Sequence, residues 1–364
     1  MGRPVIIRII GTGLLGTSLG LALSPRHEIQ LEDASPMTAA LAQDLGAGTE
    51  VTDESAAPDL VIVATPPDVA ADTVNRALTD FPDALVTDVA SVKAIVLAEV
   101  GSGRERYVGS HPMAGRERSG AIAADGDLFI GRPWVVVPHE TSRPDAVETV
   151  KRIAMEVGGF PIEMSAAAHD SAVARVSHVP QLMSSLVAAT LVDAPPSSLD
   201  LAGQGLRDVT RIAGSDPKLW STIIAGNPSS VADILREVRS RLDSLIDGVE
   251  TMAEQNAYTG VASVAKVISD GNIGVSRIPG KHGGAPVRYA TVYVLVPDKP
   301  GELGRLFTEA GEIGVNIEDL TLEHSAAQPV GRAAISVNPS RAKPLADGLE
   351  ERGWTIASVE MEES

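Results

Sequence analysis

Apolar and polar positions along this chain change their spacing twice, and the changes divide it. Over the first 165 residues, short apolar runs recur between helical stretches: 5–10 (VIIRII), 27–31, 59–64 (DLVIVA), 84–89 (ALVTDV), a short run ending at Val108, 134–137 as the closing strand, and 161–164. Continuous β-branched runs of this length read as strands buried on both faces. Their alternation with helices predicts an α/β Rossmann-like domain at 1–165. From 166 to about 270 the strands give way to long helical stripes. Val231, Ile234, Leu235, Val238, Leu242, Leu245, Ile246 and Val249 repeat at three and four, which predicts an all-α domain whose long helix is core or dimer-interface material. Residues 271–287 are rich in Gly and Pro and read as a linker. Strand and helix signals then follow in the order βαββαβ over 288–364, which predicts a small ferredoxin-like α+β domain.

The strand at 5–10 runs directly into Gly11, Thr12, Gly13, Leu14, Leu15 and Gly16, a G-x-G-x-x-G turn opening a helix. The first glycine permits the tight turn, the second lets a pyrophosphate approach the backbone, and the third lets helix and strand pack closely. The helix N-terminus offers unpaired N–H groups to the phosphates. The second strand ends at Glu32-Asp33. Asp33 stands near the interval expected for the acidic residue that binds the adenosine ribose. A carboxylate there repels a 2′-phosphate, so NAD is the expected cofactor rather than NADP. Glu32 reads as a solvated loop residue. Thr65 and Pro66 follow the strand at 59–64 and should lie near the cofactor, because ligands bind beyond the carboxyl ends of such strands.

Ser91 lies at a strand-to-helix junction. It reads as an N-cap, as a ligand contact, or as both. Lys93 sits in a first helical turn, where a cation opposes the dipole, a mild conflict that points to a charge or packing role. In YVGSHPMAGRE, Pro112 biases His111 toward extended geometry, so the segment reads as a rigid loop presenting one imidazole at the sheet edge. Within the helical region Pro180 should kink the axis beside His178 and Gln181. That suits a cavity lining and equally suits plain helix packing. Arg207 and Arg211 stand at i and i+4 and should share a helix face, with Asp208 able to pair with Arg211.

Charge and composition narrow the field. The formal net charge of −18 argues against nucleic acid or an anionic membrane as partner. The absence of cysteine excludes disulfides, thiolate metal sites and cysteine nucleophiles, and nothing in the pattern calls for a metal. No signal-peptide pattern opens the chain and no apolar run reaches membrane-spanning length, so a soluble cytoplasmic protein is expected.

GTGLLG, TDVASVK and SHPMAGRERSG, in this order, resemble the prephenate/arogenate dehydrogenase family of tyrosine biosynthesis. The D-x-P-G-x-L entry at Asp298 and the GVNIED turn resemble an ACT domain, a regulatory module that binds amino acids. The resemblance implies NAD-dependent oxidative decarboxylation of prephenate to 4-hydroxyphenylpyruvate, with arogenate dehydrogenase or a dual cyclohexadienyl dehydrogenase as alternatives. It implies His111 as proton acceptor for the substrate hydroxyl, Ser91 as a hydrogen bond either to that hydroxyl or to the other nitrogen of His111, and Arg211 as the grip on a substrate carboxylate. Asp208 would orient Arg211 or residues of a neighbouring chain, Arg207 fills a basic position, and His178 lines the site. Gln181 replaces a histidine common in the family, near the side chain that distinguishes the two substrates. Arg116 also replaces a smaller residue. Glu117 matches an acidic position that gates the site or pairs with Arg116 or Arg118. Asp298, Gly301 and Asn316 are the positions for an amino-acid effector, with turn and cap chemistry as the plainer reading. A homodimer is implied.

Two rival readings remain at this point. A 3-hydroxyacid or 6-phosphogluconate type dehydrogenase needs a catalytic lysine in the helical region, where only Lys218 and Lys266 occur. A non-enzymatic amino-acid sensor is opposed by the intact Ser91, His111 and Arg211.

Overall fold

The apolar runs of the N-terminal half assemble into one eight-stranded sheet in the computed structural model, which describes residues 4–116, 120–255, 258–279, 289–324 and 330–361. Its strands are β1 (Ile6–Ile10), β2 (Glu28–Glu32), β3 (Thr49–Glu50), β4 (Leu60–Val63), β5 (Leu85–Asp88), β6 (Tyr107–Pro112), β7 (Pro133–Val137) and β8 (Phe160–Glu163). They lie in the order β3-β2-β1-β4-β5-β6-β7-β8. The first six are parallel and follow the dinucleotide-binding order, with the ligand crevice where the chain reverses direction between β1 and β4.

The lack of alternation in the runs has a direct cause. Ile7, Ile9, Leu60 and Ile62 enter one core cluster, whereas Ile10, Val61 and Val63 enter another, so successive residues of one strand bury on opposite faces. β7 runs antiparallel to β6, and β8 pairs parallel to β7 as the edge strand, so 134–137 does not close the sheet. The two-residue β3 is too short for a periodicity signal.

The chain divides into two compact units, Met1–Pro196 with Val209–Ser240, and Ser197–Asp208 with Arg241–Ser364. In the first, the helices Ala166–Val173 and Val179–Ala189 are joined by a π-helical turn, Ala174–His178. The expected proline kink is therefore a local widening of the helix. Pro180 enters in the first turn of the second segment, directly after the π-helical turn.

The long helix spans Pro228–Gln255, and the next, Tyr258–Ser276, extends into the stretch expected as linker. In the second unit β9 (Ala290–Pro297), β10 (Asp319–His324), β11 (Val330–Val337) and β12 (Thr355–Met361) form an antiparallel sheet of order β10-β11-β9-β12, with helices Glu302–Glu312 and Pro339–Glu351 between strands. Alternate residues of β9 (Ala290, Val292, Val294 and Val296) face the core of this βαββαβ module. Trp354 completes it, donating Nε1–H to Glu309 at 2.5 Å under the guanidinium of Arg305.

Candidate functional site

The turn after β1 has the geometry its glycines predict. Gly11 adopts φ of +99°, and a Cβ there would meet Ala64 O at 2.6 Å. A Cβ on Gly16 would fall 1.8 Å from Gly11 O, so the helix Leu14–Leu23 can pack on the strand only with glycine at that position. Around Gly13 the space is open, as a pyrophosphate requires. No side chain caps this helix at Gly13 and no acidic residue occupies its first turn, which leaves its positive end to an anion. Thr65 Oγ1 is buried without a hydrogen-bond partner beside this turn. Asp33 accepts Thr12 N–H at 2.7 Å and Thr12 Oγ1–H at 3.0 Å through one oxygen, and Ser35 N–H at 2.8 Å through the other. A carboxylate has about four acceptor positions, so capacity for ribose hydroxyls remains. These residues fit a dinucleotide. Glu32, expected in a solvated loop, instead ends β2 and pairs with Arg76 at 2.9 Å and Arg8 at 3.8 Å.

His111 belongs to β6 rather than to a loop: β7 pairs alongside and extends the ladder to His111–Val135 and Pro112–Trp134. Met113 N–H donates to Pro133 O at 2.8 Å, so position 112 faces the side where β5 has already ended and the proline leaves no bond unmade. The partly buried imidazole lies against a second one. His111 Nδ1 is 2.8 Å from His169 Nε2, and His169 Nδ1 is 2.7 Å from Asp170 Oδ1. Burial holds His111 well below the usual histidine value, and His169, Lys93 and His178 push it the same way.

Ser91 is not the N-cap. The helix is Ala94–Glu99, preceded by Lys93, whose side chain makes no cap, and Asp170 serves instead by accepting the N–H groups of Lys93 and Ala94, both at 2.9 Å. Ser91 stands in the loop beyond β5, next to the strand that carries His111 as its last residue but one, so both lie at neighbouring carboxyl ends. Lys93 turns inward. Its ammonium is 1% exposed and paired with Asp88, which is fully buried and also accepts Tyr107 O–H at 2.7 Å. β6 crosses this cluster at Gly109, where a Cβ would meet Tyr107 Oη at 3.1 Å and Lys93 Cδ at 3.3 Å.

His178 ends the π-helical turn, buried, with Nδ1 3.4 Å from Asn227 Nδ2 and its ring edge-on to Trp220. Desolvation lowers it to about 4, against the pull of Asp170. Asn227 Nδ2 also donates to Asp170 O at 2.7 Å. One helical turn beyond His178, Gln181 donates to Ile212 O at 2.9 Å and accepts from Ser215 Oγ at 3.4 Å, so its amide holds the turn that begins at Arg211. The helix Gln204–Thr210 stops before Arg211, which opens a 3-10 turn, Arg211–Ala213. Arg207 and Arg211 therefore do not share one α-helical face. Asp208 accepts Gln204 Nε2–H at 2.8 Å within the second unit. Arg116 pairs with Asp125, whose N–H donates to Ser18 Oγ at 3.0 Å, tying the segment after β6 to the cradle helix. Glu117 lies outside the described residues.

His169, Asp170, Asp88, Tyr107, Trp220 and Asn227 were not singled out from sequence. In the second unit Asp298 and Gly301 line a cavity of about 250 Å³, with Lys299, Leu303 and Leu322. Asn316 is not in that lining and donates to Glu318 Oε1 at 2.6 Å. Among the described residues, no helix is long and apolar enough to cross a membrane.

Comparison with known proteins gives consistent matches. A family model described as "Prephenate dehydrogenase, nucleotide-binding domain" matches residues 19–162, and one described as "Prephenate dehydrogenase, dimerization domain" matches 165–261. The chain is 33% identical to the probable prephenate dehydrogenase NovF of Streptomyces niveus, over 96% of this chain and 99% of that one. It is 31% identical to the prephenate dehydrogenase of Bacillus subtilis, over 82% and 83%. The Aquifex aeolicus prephenate dehydrogenase, solved with hydroxyphenyl propionate and NAD+, superposes with a TM-score of 0.66 at 27% identity, covering 76% of this chain and 99% of that one. The Synechocystis arogenate dehydrogenase gives 0.62 at 25% identity, covering 74% and 98%.

Proposed function

The chain belongs to the prephenate dehydrogenase family, and we propose that it oxidatively decarboxylates prephenate to 4-hydroxyphenylpyruvate with NAD. One observation carries this reading. His111 and the turn opened by Arg211 lie in one compact unit: contacts run from His111 through His169, Asp170 and Asn227 to His178, and Gln181, one helical turn further along the same chain segment, bonds Ile212. A base for the C4 hydroxyl and a guanidinium for a carboxylate are the two groups this chemistry needs at opposite ends of a small ring.

NAD, when bound, supplies the hydride acceptor for C4. Gly11, Gly13 and Gly16 hold its pyrophosphate, Asp33 its adenosine ribose, and Thr65 and Pro66 flank it. His111 takes the hydroxyl proton as the C4 hydride departs. The C1–carboxylate bond breaks, its electron pair enters the ring as CO2 leaves, and the phenolate oxygen recovers a proton. Ser91 hydrogen-bonds the same hydroxyl, and Arg211 holds the side-chain carboxylate. His178 and Glu117 remain substrate-side positions of the same proposal. The division at 165, 270 and 288, a homodimer built on the helical domain, and an ACT module holding an amino acid near Asp298 and Gly301 belong to it as well.

Arogenate is a second reading, compatible with the neutral Gln181 amide, which repels neither an amino nor a keto side chain. Appearance of NADH absorbance with prephenate or with arogenate, each with NAD and with NADP, tests the proposal. No NADH with either substrate refutes it, and the faster substrate settles the choice.

A further inference from the structure

We infer that Asp170, acting through His169, is the positioning residue that sets which nitrogen of His111 carries the proton. The inference rests on the reading of His111 as the base. An ionised carboxylate only accepts hydrogen bonds, so the 2.7 Å contact from Asp170 Oδ1 places a proton on His169 Nδ1. His169 Nε2 is then an acceptor, and its partner 2.8 Å away, His111 Nδ1, must be the donor. The proton of the neutral His111 ring therefore sits on Nδ1, and Nε2 keeps its lone pair for the substrate hydroxyl. Reversing any one bond in the relay would place the proton on the nitrogen that has to receive one.

Asp170 is itself held from three sides. Lys93 N–H and Ala94 N–H each donate to its carboxylate at 2.9 Å, and Asn227 Nδ2–H donates to its carbonyl at 2.7 Å. The two amides belong to the start of the helix that follows Ser91, and no side chain of that segment caps it. One carboxylate thus serves two purposes: it anchors the loop bearing Ser91 and it fixes the ring of His111. Although burial pushes Asp170 upward, the bonds from His169, Ala94 and Lys93 hold it below the usual carboxylate value, so it stays charged at neutral pH. The charged or titratable groups facing His111 are His169, His178 and Lys93, with Asp170 behind His169 and Asp88 paired to Lys93.

The test is steady-state kinetics of Asp170→Asn in the full-length enzyme, beside His111→Asn. An amide must either give up one backbone N–H or present its own N–H to His169 Nδ1, which inverts the relay. The expected result is a kcat lower by roughly 10²-fold with KM within about threefold. The acid limb of kcat/KM should also move to lower pH, since the carboxylate that favours a protonated His111 is gone. A merely structural contact would not move that limb. His169→Asn leaves the bonds from Asp170 to Lys93 and Ala94 in place and should show the same kcat loss, which keeps the test decisive if Asp170→Asn does not fold. Near wild-type kcat in either folded variant overturns the inference while the assignment of His111 stands. Near wild-type kcat in His111→Asn overturns the assignment itself.

Discussion

Replacing Lys93 by methionine strands a charge in the interior, and the size of the effect can be worked out. Lys93 and Asp88 are 1% and 0% exposed, and Asp88 has two other donors, Tyr107 O–H at 2.7 Å and Ala90 N–H at 3.0 Å. Removing one partner of a buried ion pair costs about 3–5 kcal/mol. A stranded carboxylate escapes its charge by binding a proton, and from a reference near 3.9 that costs about 4 kcal/mol at pH 7. The two remaining donors place Lys93→Met in the lower half of the range, about 3 kcal/mol. At roughly 2–4 °C per kcal/mol for a unit of this size, melting should fall by about 6–12 °C at pH 7.

The stranded group binds more protons in the folded variant than in its unfolded chain, so the variant's stability falls as pH rises. The deficit should thus be smaller at pH 5 than at pH 7. The double variant Asp88→Asn with Lys93→Met carries no charge to strand and should recover most of the loss, with Tyr107 donating to the new amide oxygen. Circular-dichroism melting of the three proteins at both pH values decides it. A double variant no more stable than Lys93→Met, or a deficit independent of pH, would show that the pair is not what the cluster rests on.

Three further outcomes are expected. His111→Asn should lower kcat by roughly 10²–10⁴ with little change in KM, read from NADH formation. Arg211→Ala should act mainly on KM: losing a charge-assisted pair worth about 1.5–3 kcal/mol raises it roughly 10–150-fold, and an unchanged KM removes Arg211 from the binding site. His178 is held near 4, below its unfolded value of about 6.5, so the unfolded chain binds the extra proton between those values. Its contribution is complete above about pH 6.5 and is lost as pH falls toward 4. Urea unfolding across that window should show a shallower pH slope in His178→Gln than in the parent, and identical slopes would contradict the assignment.

The parts of this protein that were legible in its sequence are those fixed by local patterning. A strand buried on both faces needs a run such as LVIV at 60–63, and a helix that touches a strand needs Gly16, so both can be read without coordinates. The βαββαβ order of the last unit was equally readable from alternation and turns. What escaped is what the chain brings together from far apart. His169 and Asp170 sit in an unremarkable AAAHDSAV helix, and only the packing of that helix against β6 and the loop after β5 gives them partners. Ser91 looked like a cap because capping is usually local, and here the cap arrives from 77 residues away in sequence. Lys93 was noticed as a conflict with the helix dipole, yet its partner Asp88 read only as one residue of a strand. The reversal of β7 had no signature, because an apolar run does not record its direction.

The contact between His111 and His169 crosses the boundary between the stretches matched by the two family models, 19–162 and 165–261. A fragment ending near residue 164 would keep the glycine cradle and the imidazole of β6 but lose that ring's neighbour. A chimera that took its helical half from a relative would inherit a foreign relay. Nucleotide affinity and turnover are therefore separable by dissection of this chain, and the two modules must be exchanged as a pair for catalysis to travel with them.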